Sequence, residues 1–283
     1  MDIRVAAKVN LSLRIVGVNP EGMHELDSLM ASAGIFDELS ITRADGITVR
    51  FSGEYADGLD GVNNTAYRAA ELFAKKFAFN GADIKIVKNI PLSAGLGGSS
   101  ADAAGVLRGL ACMNGVSESS PVLRMLARRC GSDVPFMLSG GFKRVTGTGE
   151  KLEPYGSAEL FLIILPEKNG VGARDCYRAY DTLAATSGVR AYDPRGNDKL
   201  LAALTYRKPV GGLLHNDLYL PACTLNPQIA RNLALLRSVT GDAVMTGSGS
   251  ACIAVFYDSA SRDAAHRELL ARGVTGLIKT ETV

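Results

Sequence analysis

The chain has 283 residues, and its 31 basic and 29 acidic side chains leave a net charge of +2. So even a balance gives no electrostatic footprint for nucleic acid or an anionic membrane surface, and points to a small-molecule partner. With 47% apolar and 21% charged residues there is ample material for a packed core, and the length implies two lobes or one large α+β unit.

The opening segment alternates, with Ile3, Val5, Ala7, Val9, Leu11 and Leu13 on one parity and Arg4, Lys8, Asn10, Ser12 and Arg14 on the other. A period of two predicts a half-buried strand with Lys8, Asn10 and Ser12 on one polar face. Strand-like runs follow at 38–41, 47–51 and 84–87, separated by Gly/Asn/Asp turn clusters, which suggests a sheet made largely of hairpins. Between them, Ala66, Ala69, Ala70, Phe73 and Phe77 recur at helical spacing after Thr65. A glycine-rich stretch begins at Pro91 and runs into Val106, Leu107, Leu110 and Ala111, again at helical spacing. The segment 120–131 carries a serine N-cap, a first-turn proline, an apolar face of Leu123, Leu126, Ala127 and Cys130, and a terminal glycine. After two glycine-rich turns comes a fully apolar strand-like run at 160–165, which places a lobe boundary near 155 and divides the chain into 1–155 and 156–283. Helices at 226–238 and 260–272 and strands at 243–245 and 251–256 complete the reading. No repeat of fixed period and no low-complexity tract is visible.

No apolar run approaches the ~18 residues of a membrane span, and Lys8 sits where a signal peptide is apolar, so a cytoplasmic protein is expected. Five scattered cysteines without a C-x-x-C pair fit reduced thiols, and only three histidines are present, so a His/Cys metal cluster is not expected. A G-x-S-x-G elbow is absent.

The most informative stretch is Pro91-Leu92-Ser93-Ala94-Gly95-Leu96-Gly97-Gly98-Ser99-Ser100-Ala101, lying between a predicted strand and a predicted helix. Glycines allow positive φ and close approach of backbone N–H groups to an oxyanion, and a helix N-terminus favours phosphate. The hydroxyls of Ser99 and Ser100 are suited to capping the helix, touching phosphate or coordinating a hydrated magnesium ion. This is neither G-x-x-x-x-G-K-[ST] nor G-x-G-x-x-G, whose third glycine is replaced by Ser100.

The stretch resembles the phosphate loop of the GHMP small-molecule kinases. Ala6-Ala7-Lys8-Val9-Asn10-Leu11 is similar to that family's N-terminal motif, and Thr246-Gly247-Ser248-Gly249-Ser250-Ala251 to its C-terminal glycine motif. Further segments, Gly22-Met23-His24-Glu25-Leu26, Gly131-Ser132-Asp133-Val134-Pro135, Gly147-Thr148-Gly149-Glu150 and His215-Asn216-Asp217-Leu218, look like a particular branch of the family. That branch phosphorylates the 2-hydroxyl of a cytidine diphosphate sugar alcohol in non-mevalonate isoprenoid synthesis. The resemblance implies a two-lobe α+β fold, with a ribosomal protein S5 domain 2-like N-terminal lobe and a ferredoxin-like C-terminal lobe. It also implies ATP and Mg2+ as cofactors, no nucleic acid or membrane partner, and a monomer or homodimer.

By this resemblance residues 91–101 bind ATP, with Ser99 or Ser100 near the metal. Asp133 accepts the proton of the substrate hydroxyl, and Lys8 orients that carboxylate and stabilises the transferring charge. Asn10, Met23, His24, Tyr177, Gly247 and Ser248 hold the substrate, with His24 reading the cytosine edge and Tyr177 stacking on the base. The bland reading of Asp133 is a residue that merely caps the next short helix. The chain departs from the family pattern at Met23, where a tyrosine usually stacks on the base, and at Gly172-Ala173, where a Ser-Thr pair is usual. Many relatives also have a third glycine where the loop here reads Gly97-Gly98-Ser99. Two other readings remain: a kinase of another small alcohol such as homoserine or mevalonate, and a non-catalytic binding protein on the same scaffold.

Overall fold

The alternating N-terminal segment forms a strand, β1 (Asp2–Val18), in the computed structural model, which describes residues 1–187 and 192–283. Half-burial does not hold from Ala7 to Leu13, where both parities are buried and Lys8, Asn10 and Ser12 are covered like Val9 and Leu11. A polar face in that position must find partners inside the protein, because a buried unpaired group costs roughly 1–3 kcal/mol. Beside it runs β2 (His24–Arg43), of which the sequence showed only 38–41. Residues 27–33 of β2 are buried without alternation, so period two could not report them.

The chain divides into two compact units. The first comprises Met1–Ala7, Ile35–Leu92 and Gly97–Gly140. Here β3 (Thr48–Ser52), α1 (Thr65–Phe77) and β4 (Ala82–Val87) form a crossover, with β3 and β4 parallel and Val49 opposite Ile84. The expected hairpins are corrected at this point: a 13-residue helix lies between the strands, and such a connection joins parallel neighbours. β4 then pairs antiparallel with β2, Leu39 opposite Ile86. Helix α1 is capped by Asn64, whose side chain accepts from the Tyr67 N–H, and buries Ala66, Ala69, Ala70 and Phe73 as its apolar stripe requires. Helix α2 (Gly98–Met113) is built from small residues and packs close: a Cβ on Gly105 would stand 2.7 Å from Val5 and 2.8 Å from Leu39. Helix α3 (Pro121–Cys130) begins at the expected serine, with Ser120 Oγ accepting from the Val122 N–H, and α4 (Val134–Ser139) is a short helix that follows it.

The second unit comprises Lys8–Gly34, Ser93–Leu96 and Gly141–Val283. In it β5 (Phe142–Gly147) pairs with the first half of β2 and with β6 (Lys151–Pro154). The chain continues through β7 (Phe161–Leu165), α5 (Ala173–Ser187), α6 (Gly196–Thr205), β8 (His215–Asn216), α7 (Tyr219–Leu225) and α8 (Gln228–Arg237). It ends with β9 (Ala243–Met245), β10 (Cys252–Phe256), α9 (Ser259–Ala271) and β11 (Ile278–Glu281). The antiparallel order β11-β7-β10-β9, with helices before β9 and before β11, is the ferredoxin-like arrangement expected for the C-terminal lobe. Ile163, Leu165, Leu233, Leu236, Cys252 and Ala254 fill its core. The five cysteines are unpaired, and burial pushes the Cys176 and Cys252 thiols up to about 12, so these two act as small apolar core residues. Among the described residues no helix is long and apolar enough to cross a membrane.

Candidate active site

In the second unit, three segments far apart in sequence are tied together by backbone. The Lys8 N–H donates to the Leu96 carbonyl at 2.9 Å, the Asn10 N–H to Thr246 Oγ1 at 2.8 Å, and the Ala251 N–H to the Ala94 carbonyl at 3.0 Å. Gly95 and Gly247 meet back to back, at φ +75° and +58°. A Cβ on Gly95 would stand 2.3 Å from the Thr246 carbonyl oxygen, and one on Gly247 would stand 2.8 Å from the Gly95 oxygen and 2.9 Å from Lys8 Nζ. Only glycine satisfies both the left-handed backbone and this approach, which explains why glycines stand at these points of the two motifs. A fourth segment joins them: the Asn216 side chain donates to the carbonyls of Met245 and Gly247, each at 2.8 Å. Ser248, half-buried, follows in the turn that the Gly249 N–H closes on the Thr246 carbonyl.

The buried polar face of β1 is satisfied here. Lys8 Nζ donates to Asn10 Oδ1 at 2.5 Å, and Asn10 Nδ2 donates to Ser28 Oγ at 2.8 Å. Ser12 Oγ donates to Asn197 Oδ1, and Asn197 Nδ2 donates to Asp27 Oδ1 at 2.8 Å. Asp27 also takes a bidentate pair from Arg144 at 2.8 Å and a bond from the Tyr192 hydroxyl. Burial raises the Asp27 carboxyl, but these donors outweigh it and hold the group below the usual carboxylate range. Lys8, Asn10 and Ser12 of this network were read in the sequence as one polar face; Asp27, Arg144 and Asn197 carry no motif.

The loop residues are of two kinds. Pro91, Ala94, Leu96 and Ala101 are buried and anchor the stretch, while Leu92 and Ser100 are half-buried and Ser93 and Ser99 are exposed. In the first unit, Gly97 is the N-cap of α2 at φ +74° and no side chain caps the helix. Capping by Ser99 or Ser100 is thereby corrected: both lie inside the first turn. The first α-helical bond runs from the Ala101 N–H to the Gly97 carbonyl, which leaves the amides of Gly98, Ser99 and Ser100 for an acceptor outside the helix. The same unit holds Asp133, the N-cap residue of α4, with helical backbone and a side chain that makes no cap bond. Its capping reading therefore fails.

The residues expected to meet a nucleobase, Met23, His24 and Tyr177, all lie in the second unit. The His24 ring stacks on Tyr177 with centroids 4.9 Å apart and an interplanar angle of 27°, and stands edge-on to Tyr180 at 5.9 Å. His24 Nε2 lies 2.7 Å from Asp181 Oδ1, so an acidic partner orients the imidazole. Tyr180 and Asp181 were missed because α5 itself was not read from the sequence. Met23 is 52% exposed, in a turn closed by the Asn19 side chain, which accepts from the Met23 N–H at 2.8 Å.

The chemistry available is that of an anion-binding helix start in one unit, with a buried lysine and an amide-rich glycine junction in the other. Comparison with known proteins agrees with it. The family described as GHMP kinases N terminal domain matches residues 64–141. A 4-diphosphocytidyl-2-C-methyl-D-erythritol kinase of Cutibacterium acnes is 37% identical over 271 residues, covering 91% of this chain and 86% of that protein. One of Desulfitobacterium hafniense is 38% identical over 253 residues, covering 88% and 84%. The crystal structure of a 4-(cytidine 5'-diphospho)-2C-methyl-D-erythritol kinase matches with TM-score 0.80 and 28% identity over 100% of this chain and 99% of its own. Mevalonate kinase of L. major, in complex with R-mevalonate, has the same fold at TM-score 0.77 and 16% identity, covering 100% of this chain and 95% of its own.

Proposed function

The chain belongs to the GHMP kinases, and within them to the 4-diphosphocytidyl-2-C-methyl-D-erythritol kinases; from that premise we propose that it phosphorylates the 2-hydroxyl of this sugar alcohol with ATP. The observation that carries the reading is the junction of Lys8, Gly95-Leu96 and Thr246-Gly247, three family segments that backbone bonds join within one unit.

In this reading, residues 91–101 cradle the ATP phosphates. Asp133, at the head of α4, takes the proton of the attacking hydroxyl. Lys8 stabilises charge on the transferring group, with Asn10 fixing its ammonium. A cytosine meets the stacked pair of His24 and Tyr177, with Asp181 orienting the histidine toward the base edge and Met23 flanking it. Gly247 and Ser248 complete the substrate pocket. Among the described residues no group of three His, Cys, Asp or Glu side chains could hold a metal, so Mg2+ would be held by the nucleotide phosphates with one hydroxyl from Ser99 or Ser100. When bound, it supplies charge neutralisation at the phosphates.

The proposal includes a cytoplasmic monomer or homodimer without nucleic acid or membrane partners. It also places the lobe boundary in the connection between β6 and β7, which separates 1–155 from 156–283. Turnover of the cytidyl compound with release of ADP tests the function, and a panel of competing alcohols makes that test decisive.

A further inference from the structure

The bonds of Lys8 and Asn10 on the buried face of β1 continue through Ser28 of β2 and end on the backbone of Ser12. All four residues belong to the second unit and are 4% exposed or less. Lys8 Nζ donates to Asn10 Oδ1 at 2.5 Å, Asn10 Nδ2 to Ser28 Oγ at 2.8 Å, and Ser28 Oγ to the Ser12 carbonyl at 2.5 Å.

Each direction in this chain of bonds follows from the one before it. An ammonium only donates, so the amide atom that faces it is the oxygen, and the amide nitrogen is turned to Ser28. A donating nitrogen needs a lone pair opposite it, so the Ser28 proton has to point elsewhere. The Ser12 carbonyl, which only accepts, takes it. Ser12 is itself held in place, since its Oγ accepts from the Leu29 N–H at 2.9 Å and donates to Asn197 Oδ1. Ser28 thereby selects the orientation of the Asn10 amide. With that amide reversed, an NH2 group would face the ammonium, and two donors would meet with no acceptor between them. The backbone closes in on the ammonium from another side, where a Cβ on Gly247 would stand 2.9 Å from Lys8 Nζ.

We propose that Ser28 is a positioning residue for phosphoryl transfer: its hydroxyl locks the Asn10 amide, and through it the Lys8 ammonium, in the orientation that meets the transferring group. This rests on the reading of Lys8 as the group that stabilises the charge of transfer. That charge is met in the transition state, so a misplaced ammonium lowers kcat more than it raises KM for ATP.

The test is steady-state turnover of the cytidyl substrate with Mg-ATP by the wild-type protein, Ser28→Ala, Ser28→Thr, Asn10→Ala and the double variant, each first checked for a cooperative melting transition. Ser28→Ala is expected to lower kcat about tenfold or more, with KM for ATP within about twofold of wild type. Ser28→Thr keeps a hydroxyl on the same carbon, and its kcat is expected to stay within about threefold of wild type. In the Asn10→Ala background the Ser28→Ala change is expected to alter kcat by less than about twofold, because no amide is left to orient. Equal fold losses in the two backgrounds would mark a merely structural role and overturn the proposal. Near-normal kcat in Ser28→Ala, or a folded Ser28→Thr as slow as Ser28→Ala, overturns it as well.

Lys8→Ala distinguishes this failure from that of the reading beneath it. If Lys8→Ala loses turnover and Ser28→Ala does not, the proposal alone fails; if Lys8→Ala keeps near-normal turnover, the role of Lys8 fails and the proposal with it. A measurement on the wild-type protein depends on no variant: the side-chain amide protons of Asn10, followed by NMR, are expected to exchange with water at least about tenfold more slowly than those of an exposed asparagine. Exchange at the exposed rate overturns the proposal.

Discussion

In the proposed mechanism Asp133 accepts the proton of the substrate hydroxyl, and a single substitution tests that role. Asp133→Asn keeps the size of the side chain and removes its charge, and is expected to leave ATP binding essentially unchanged. Turnover should fall by roughly 100-fold or more, the scale of a lost general base. Near-normal turnover would show that another group accepts the proton. At Met23, the exposed thioether offers less directional packing on a base than an aromatic ring. Met23→Tyr is expected to lower KM for the cytidyl substrate by about 2- to 10-fold, the range of an added stacking contact, and an unchanged KM would mean that residue 23 does not face the base.

At the scale of elements, the glycine junction makes the sharpest demand on the backbone. Gly95→Ala places a methyl 2.3 Å from the Thr246 carbonyl at φ +75°, whereas Gly22→Ala at φ +79° meets nothing within 4 Å. The second substitution carries only the left-handed penalty of about 1 kcal/mol; the first adds overpacking of roughly 1–3 kcal/mol and should weaken ATP binding as well. Urea denaturation of the two variants checks the difference, and equal losses would show that the close approach is not what requires glycine. Much of this was legible in the sequence, because Lys8, Gly95 and Gly247 belong to short motifs whose residue types are dictated by local backbone. What was not legible has physical causes. Residues 27–33 of β2 show no alternation because both faces are buried. Helix α5 carries its inner face on Cys176, Tyr177 and Tyr180, residues with modest helix propensity, so its stripe was overlooked.

For the molecule as a whole, near-neutral charge, a two-unit α+β fold and similarity over about nine-tenths of the chain converge on a small-molecule kinase. Similarity of fold extends to mevalonate kinase at low identity, so fold alone does not select the alcohol. In the proposed reading selection rests on His24, Tyr177 and Asp181, whose stacked and hydrogen-bonded arrangement suits a planar base. The most direct measurement is ADP release with Mg-ATP against 4-diphosphocytidyl-2-C-methyl-D-erythritol, mevalonate, homoserine and galactose. Turnover confined to the cytidyl compound is the predicted result. Preferred turnover of another alcohol would contradict the substrate assignment, and silence with all four would contradict the kinase itself.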